Sequence, residues 1–510
     1  MSELLNNPGS RLQSSSRLGG FDLRAIVLFS FFALVGAGAL LNPMAALVCV
    51  AVAGLVGLCW MVVVYLRRIG LQVWQVLLIG AISGYMVLNY GFENIAFHIG
   101  GLPIILSYGM AYTAFILALL NTRSLFAQSL QEPAVVCMLA LLFFAGLHLV
   151  LDVPTYGMMA LRDGSMCLDG IFMLLGLAWA MKKGSVAFIS KWLMVLFAVN
   201  MFYGLTQPWG EAIWSWSPES GVFIKVPILG NFNGIGDLEV AGAMFCLCVG
   251  AYVIKKPSWL LPLLVMGQFL GFAFAQVRRM YVALVVILVI LILLGEAKKF
   301  AKLLILLPVA LAAILAATTF GGMEINGRIG PVKLDFFKEH VRSIETPDGT
   351  PGSSIESRFT WMDEALAHFY THPIVGVGFG QPLVSEIANG DNGAVTRQPH
   401  NSSLTYLTRL GVIGFCMWII FHFYLIKSFI LAFRKRESFD KPTYAFILWT
   451  FIFYVIVVIS SLVEPTFEYP SFAIPFYFLI GFALGTIRWS KKGQAEPRLV
   501  AIPTAEKSYL

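Results

Sequence analysis

The sequence predicts an all-α polytopic membrane protein with about 14 transmembrane helices (12–14) and one large, partly helical extracytoplasmic loop. Three observations predict it. Of 510 residues, 58% are hydrophobic and 12% charged, and the mean hydropathy is +0.80, a composition foreign to soluble globules. The apolar residues fall in runs of about 20, the length needed to cross a hydrocarbon core in which backbone polar groups find no water. The basic residues gather in short clusters between these runs.

Residues 1–24 are polar, lack a signal peptide's apolar core and cleavage site, and read as a cytoplasmic tail. Helices 1–11 are expected within 25–320, at 25–41, 44–66, 71–90, 102–120, 134–151, 166–181, 188–205, 238–254, 259–275, 280–294 and 303–320. The large loop, 321–403, follows. Helices 12–14 are expected within 404–488, at 404–433, 444–462 and 472–487, and residues 489–510 form a second cytoplasmic tail. Arg67 and Arg68, Arg123, Lys182 and Lys183, Lys255 and Lys256, Lys298 and Lys299, Arg434 to Arg436, and Lys491 with Lys492 follow every second helix. The positive-inside rule makes their side the cytoplasm and the long loop extracytoplasmic. The net charge of +7 is thereby a matter of topology. No basic face with interleaved aromatics points to nucleic acid. The seven cysteines lie in or beside apolar runs, and none is in the loop, so no disulfide or zinc framework is expected.

One basic pair breaks the charge pattern. Arg278 and Arg279 fall at the outer end of a hairpin with almost no loop. Arginine at membrane depth costs about 2.5–3.5 kcal/mol on insertion scales, so a doublet there suggests a resident anion, with snorkelling to headgroups as the plainer alternative. Successive helical residues point about 100° apart, so one of the two faces a shared cleft. Trp209, Trp214, Trp216 and Phe223 read as an interfacial aromatic belt, or else as a sugar-stacking surface. His148 and Glu464 read as the few charged positions inside the bundle.

Within the loop, 357–372 reads as an amphipathic helix, with Phe359, Met362, Leu366 and Phe369 on one stripe and Arg358, Trp361, Ala365, His368 and His372 on the next. Pro373 stops it. Arg358 is then aimed from a rigid element, or else is a solvated arginine paired with Glu356 or Asp363. His368 and His372 have metal-ligand spacing but lack the intervening glutamate of the zinc motif. Gly376, Gly378 and Gly380 resemble a phosphate loop without its strand and helix, so a tight turn is expected. Residues 346–354 read as a flexible linker.

His400 precedes Asn401, Ser402 and Ser403, which are helix-capping types, so it stands just before the next helix. The positive helix end favours the neutral imidazole, able to accept a proton from a hydroxyl; the alternative is a histidine bonded to its own loop. Gly411 and Gly414 would let a neighbouring helix approach. Guanidinium forks suit phosphate oxygens, and a base beside a bound diphosphate suits its displacement by a hydroxyl. With no nucleotide-binding domain, a lipid diphosphate is the natural donor.

The spacing of His400, Asn401, Gly411 and Gly414 resembles the signature of the bacterial O-antigen ligases and O-antigen polymerases. The stretch RFTWMDEALAHFYTHPIVGVGFG, from Arg358 to Gly380, is similar to their periplasmic loop block, and VRRMYVAL to their helix-end arginine segment. The resemblance implies a GT-C type inverting glycosyltransferase of the bacterial inner membrane, without cofactor or metal. It would act at the periplasmic face on an undecaprenyl-diphosphate-linked glycan donor and a glycan or core-lipid acceptor. Carried over by position, Arg278 and Arg358 would bind the diphosphate and stabilise it as it leaves, and His400 would deprotonate the acceptor hydroxyl. Arg279, Trp361 and Asn401 would bind substrate. A polymerase joining repeat units, a protein-directed oligosaccharyltransferase and a lipid-linked glycan transporter are the competing readings.

Overall fold

The computed structural model describes residues 70–99, 102–221, 225–229, 235–257, 259–297, 300–301, 325–336, 338–339, 354–385, 387–389 and 394–490, with isolated helical positions between 312 and 320. The expected spans 25–41 and 44–66, nearly all of 303–320, the linker up to 353, Phe223 and the terminal tails 1–24 and 491–510 lie outside the described residues. What is described is an all-α polytopic membrane protein. Among these residues six helices are long and apolar enough to cross a membrane. They are α3 (Pro133–Tyr156), the rod of α4 (Met158–Leu168) and α5 (Phe172–Ala180), α6 (Ser185–Leu205), α11 (Ser402–Arg434), α12 (Lys441–Ser461) and α13 (Pro470–Ser490). Shorter apolar helices are α1 (Val73–Leu88), α2 (Leu106–Asn121) and α8 (Leu260–Ala275). Three further helices carry charge at their ends or along one face: α7 (Ile235–Cys248), α9 (Arg278–Leu293) and α10 (Ser354–Thr371).

Four boundaries differ from the apolar pattern, each for a physical reason. The run expected as a helix from 102 begins as strand β2 (Leu102–Ile105), paired antiparallel with β1 (Ala96–Ile99). Pro103 disfavours helix at the residue before it, and the isoleucines suit a strand. The helix expected from 166 begins at Met158, and Asp163 within it is paired with Arg409 at 2.8 Å, which lets a carboxylate be buried there. Helix α3 continues past 151 to Tyr156 because Asp152 has a partner too, the Phe379 N–H at 2.7 Å. The run 404–433 is too long for one crossing, and Gly411 divides it.

Gly411 adopts φ 62, ψ −168 inside α11, a conformation essentially restricted to glycine. A helix broken this way leaves N–H and C=O groups without helical partners, and the chain after α10 supplies them. Val412 and Ile413 N–H donate to the Pro373 and Ile374 carbonyls at 2.9 and 3.2 Å; Val377 and Gly378 N–H donate to the Thr408 and Arg409 carbonyls at 3.0 and 2.9 Å. A Cβ on Gly411 would lie 2.4 Å from the Ile374 oxygen, so this glycine admits a loop backbone rather than the neighbouring helix the sequence suggested. A Cβ on Gly414 would meet first Leu410 of its own helix. The stitch fixes α10 on the first turns of α11. Beneath it Ala365, Leu383 and Leu404 form a small apolar core joined by Met362, Leu366, Val377 and Leu407. The buried face of α10 therefore centres on Trp361 and Ala365, while Phe359 points outward.

The glycine turn is not a phosphate loop. Gly376, Gly378 and Gly380 all take positive φ, as a tight turn requires. The Phe379 and Gly380 N–H groups, which would face an anion in a phosphate loop, donate to Asp152 and Asp163. Arg409, fully buried, closes the arrangement by donating to Asp163 and to the Gly378 and Gln381 carbonyls.

Candidate active site

Two helix starts and one helix face carry the site. Helices α8 and α9 are joined by two residues, Gln276 in the left-handed region at φ 51 and extended Val277, so Arg278 and Arg279 form the first turn of α9. A helix N-terminus repels cations, and two acids compensate. Arg279 places Nε and Nη2 on the Oδ1 and Oδ2 oxygens of Asp237, at 3.2 and 3.1 Å, a two-point fork against the first turn of α7. Its remaining Nη1 donates to Glu464 Oε1 at 3.2 Å. Asp237 is itself held by the Ser460 hydroxyl at 2.9 Å.

His400 is the second left-handed residue of the site, at φ 50, just before α11. Such conformations are uncommon outside glycine and cluster at functional positions. Its Nδ1 lies 3.2 Å from Glu464 Oε2, a residue 64 positions later, so it is not bonded only within its own loop. The next residue, Asn401, caps α11 by accepting the Leu404 N–H at 3.0 Å. Ser402 donates to Glu468 and accepts the Phe467 N–H, tying this helix start to the α12–α13 turn that bears Glu464.

From α10, Arg358 Nη2 donates to Glu464 Oε1 at 3.0 Å, and Trp361, one turn on, lies flat on the His400 ring with centroids 5.0 Å apart and planes at 25°. Arg279, Arg358 and His400 thus converge on one carboxylate from three separate elements. Burial alone would raise the Glu464 carboxyl. The hydrogen bond from His400 and the charges of Arg279 and Arg358, joined by that of His400 whenever its ring is protonated, override burial and hold it at about 2, so it is anionic.

A fourth guanidinium belongs to the same field. Arg328 donates its Nε to the Ala275 carbonyl at the end of α8, and the loop beside it is held by the Gln276 side chain, which accepts from the Ile329 and Gly330 N–H groups. Arg328 and Arg358 are both held below the usual arginine range, first by burial and then by the charges of Arg278 and Arg279. Arg278, Arg279, Arg328 and Arg358 thus share one electrostatic field with Glu464 and Asp237, and within it the arginines repel one another. An arriving anion would relieve that repulsion.

Of the expected site residues, the structure brings Arg279, Arg358, Trp361 and His400 into contact around Glu464. Of the doublet, Arg279 bonds Asp237 and Glu464, being turned toward α7 and the α12–α13 turn, and the Arg278 charge reaches Arg328 and Arg358. Trp361 stacks on the His400 ring, and Asn401 caps the helix that His400 precedes. Glu464 was misread as an internal charge and lies in the turn after α12. Asp237 and Arg328 gave no sequence signal beyond a lone acid and a lone base near helix ends. His372 Nδ1 is hydrogen-bonded to Thr371, and no three-residue metal-binding cluster occurs among the described residues. Trp209 and Trp216 are strongly exposed, one just before the short helix Gly210–Trp216 and the other its last residue.

Residues 262–419 match the family model described as O-antigen ligase. The chain carries an O-antigen ligase domain. The match encloses Arg278, Arg279, Arg328, Arg358, Trp361 and His400, while Asp237 and Glu464 lie outside it on either side. In broad terms the domain brings an O-antigen ligase- or polymerase-type function and lipid-linked glycan substrates of that general kind. No curated protein matches the chain.

Proposed function

We propose that this O-antigen ligase-like protein transfers a glycan from undecaprenyl diphosphate to an acceptor hydroxyl, most simply on a core-lipid sugar, at the periplasmic face of the bacterial inner membrane. The observation that carries the reading is the convergence of Arg279, Arg358 and His400 on Glu464. Guanidiniums offer planar donors to the two phosphates, and Arg278 and Arg328 add charge around them. With Nδ1–H donated to the Glu464 carboxylate, His400 Nε2 is the free acceptor, so the imidazole is held in the tautomer a general base needs. The acceptor oxygen attacks the anomeric carbon, and the bond from that carbon to the diphosphate oxygen breaks. Its electron pair leaves on the diphosphate, where the arginines stabilise it, and the hydroxyl proton passes to Nε2. Attack opposite the leaving group inverts the anomeric configuration. The arginines carry the leaving charge in this scheme, so no step is assigned to a metal.

Purified protein incubated with undecaprenyl-diphosphate-linked glycan and, separately, core lipid, a second lipid-linked glycan or a serine- and threonine-bearing protein tests the reading. Transfer to core lipid, insensitive to chelator and lost in His400→Ala, is expected. Transfer only to the second glycan would make the protein a polymerase, and transfer only to protein an oligosaccharyltransferase. Variants of Arg279, Arg358 and His400 that kept transfer but slowed movement of the lipid across the bilayer would make it a transporter.

A further inference from the structure

We propose that Glu464 is a displaceable counter-ion, which the donor's diphosphate replaces on Arg279 and Arg358 while the carboxylate stays on His400. This inference rests on the function proposed above, and the division of labour between the two carboxylate oxygens carries it. Oε1 receives both arginines, Nη1 of Arg279 at 3.2 Å and Nη2 of Arg358 at 3.0 Å, whereas Oε2 receives His400 Nδ1. Neither arginine depends on Glu464 for its place. Arg279 is anchored through Nε and Nη2 on Asp237, so Nη1 is the donor that can change partner. Arg358 is fixed by the seating of α10 on α11.

Two phosphates could therefore take over the Oε1 contacts without moving either helix. Loss of two cationic partners leaves more of the Glu464 charge on His400 Nδ1–H, which strengthens Nε2 as a proton acceptor. Donor binding then prepares the base, and a hydroxyl reaching the cleft before the donor meets a weaker one. Glu464 is on this account a positioning residue with two opposed effects: it competes with the donor for the arginines, and it makes His400 an effective base. A merely structural glutamate would not separate those effects.

The test measures inorganic pyrophosphate binding to the purified full-length protein, together with kcat and donor KM. Glu464→Gln should bind pyrophosphate about tenfold more tightly than wild type, since a competing charged contact is removed, and should show a lower kcat. Glu464→Asp keeps the charge but is one methylene too short to reach Arg279, Arg358 and His400 together. It should shift both quantities the same way by a few-fold, and it serves where the glutamine variant does not fold. Pyrophosphate binding that is unchanged or weaker in both variants overturns the counter-ion role while leaving the proposed function standing. Failure of wild type to bind pyrophosphate at all, together with unchanged binding in both variants, would remove the diphosphate reading itself.

Discussion

Arg409 with Asp163, and Arg279 with Glu464, are both arginine–carboxylate pairs, at 2.8 and 3.2 Å, and both join residues far apart in sequence. They differ in their surroundings. The first is sealed, with side chains 0% and 1% exposed, and lies among backbone carbonyls and amides of the glycine turn. The second is reached by solvent, with Arg279, Glu464 and Arg358 at 12%, 18% and 28% exposure, and its carboxylate is shared among three cationic or titratable partners. A sealed pair has nowhere to exchange its partners and holds structure; an accessible, shared, positively charged cluster can trade a carboxylate for a phosphate. The same pairing chemistry is used once to fasten the loop to the helices and once to prepare a site.

Replacing one member should expose the difference. Arg409→Ala strands Asp163 without its buried cation, which typically costs about 3–5 kcal/mol, so folded protein and thermal midpoint should fall sharply. A variant of wild-type stability would break the distinction. His400→Ala should lower the thermal midpoint much less than Arg409→Ala yet slow transfer by about 10²–10⁴-fold, the usual worth of a positioned acid–base group. The Glu464 cluster should also respond to acid. Because the folded carboxyl of Glu464 is held at about 2 against an ordinary 4.5, its contribution is fully present above about pH 4.5 and is lost as the pH falls toward 2. The step is worth about 3 kcal/mol, and melting curves of Glu464→Gln between pH 5 and 2 should lack it. The smallest effect is expected for Arg358→Lys, which keeps the charge but loses the planar fork; it should retain part of the activity with a raised donor KM. Equal turnover would reduce Arg358 to a point charge.

The comparison also explains what could be read from the sequence. The membrane class, helix α10, the Arg278–Arg279 hairpin and His400 before a capped helix were legible because each rests on a local cue: apolar length, 3.6-residue periodicity, a charge out of place, a run of capping side chains. Asp163, Asp152, Asp237 and Glu464 were not, because each acid derives its meaning from a partner or a carbonyl-rich turn more than 40 residues away. Gly411 belongs with them. Its spacing from His400 was visible, but its work, opening a helix to receive residues 373–378, depends on the loop that fills the break. The choice within the arginine doublet was hidden for the same reason, since the Arg279 partners Asp237 and Glu464 lie far from it in sequence.

That choice provides the most direct test. Purified Arg278→Ala and Arg279→Ala should be compared in transfer from undecaprenyl-diphosphate-linked glycan. The account predicts that Arg279→Ala loses activity at least about tenfold more than Arg278→Ala, since Arg279 bonds the carboxylate that His400 and Arg358 share. Equal losses, or a greater loss in Arg278→Ala, would contradict a site organised around Glu464.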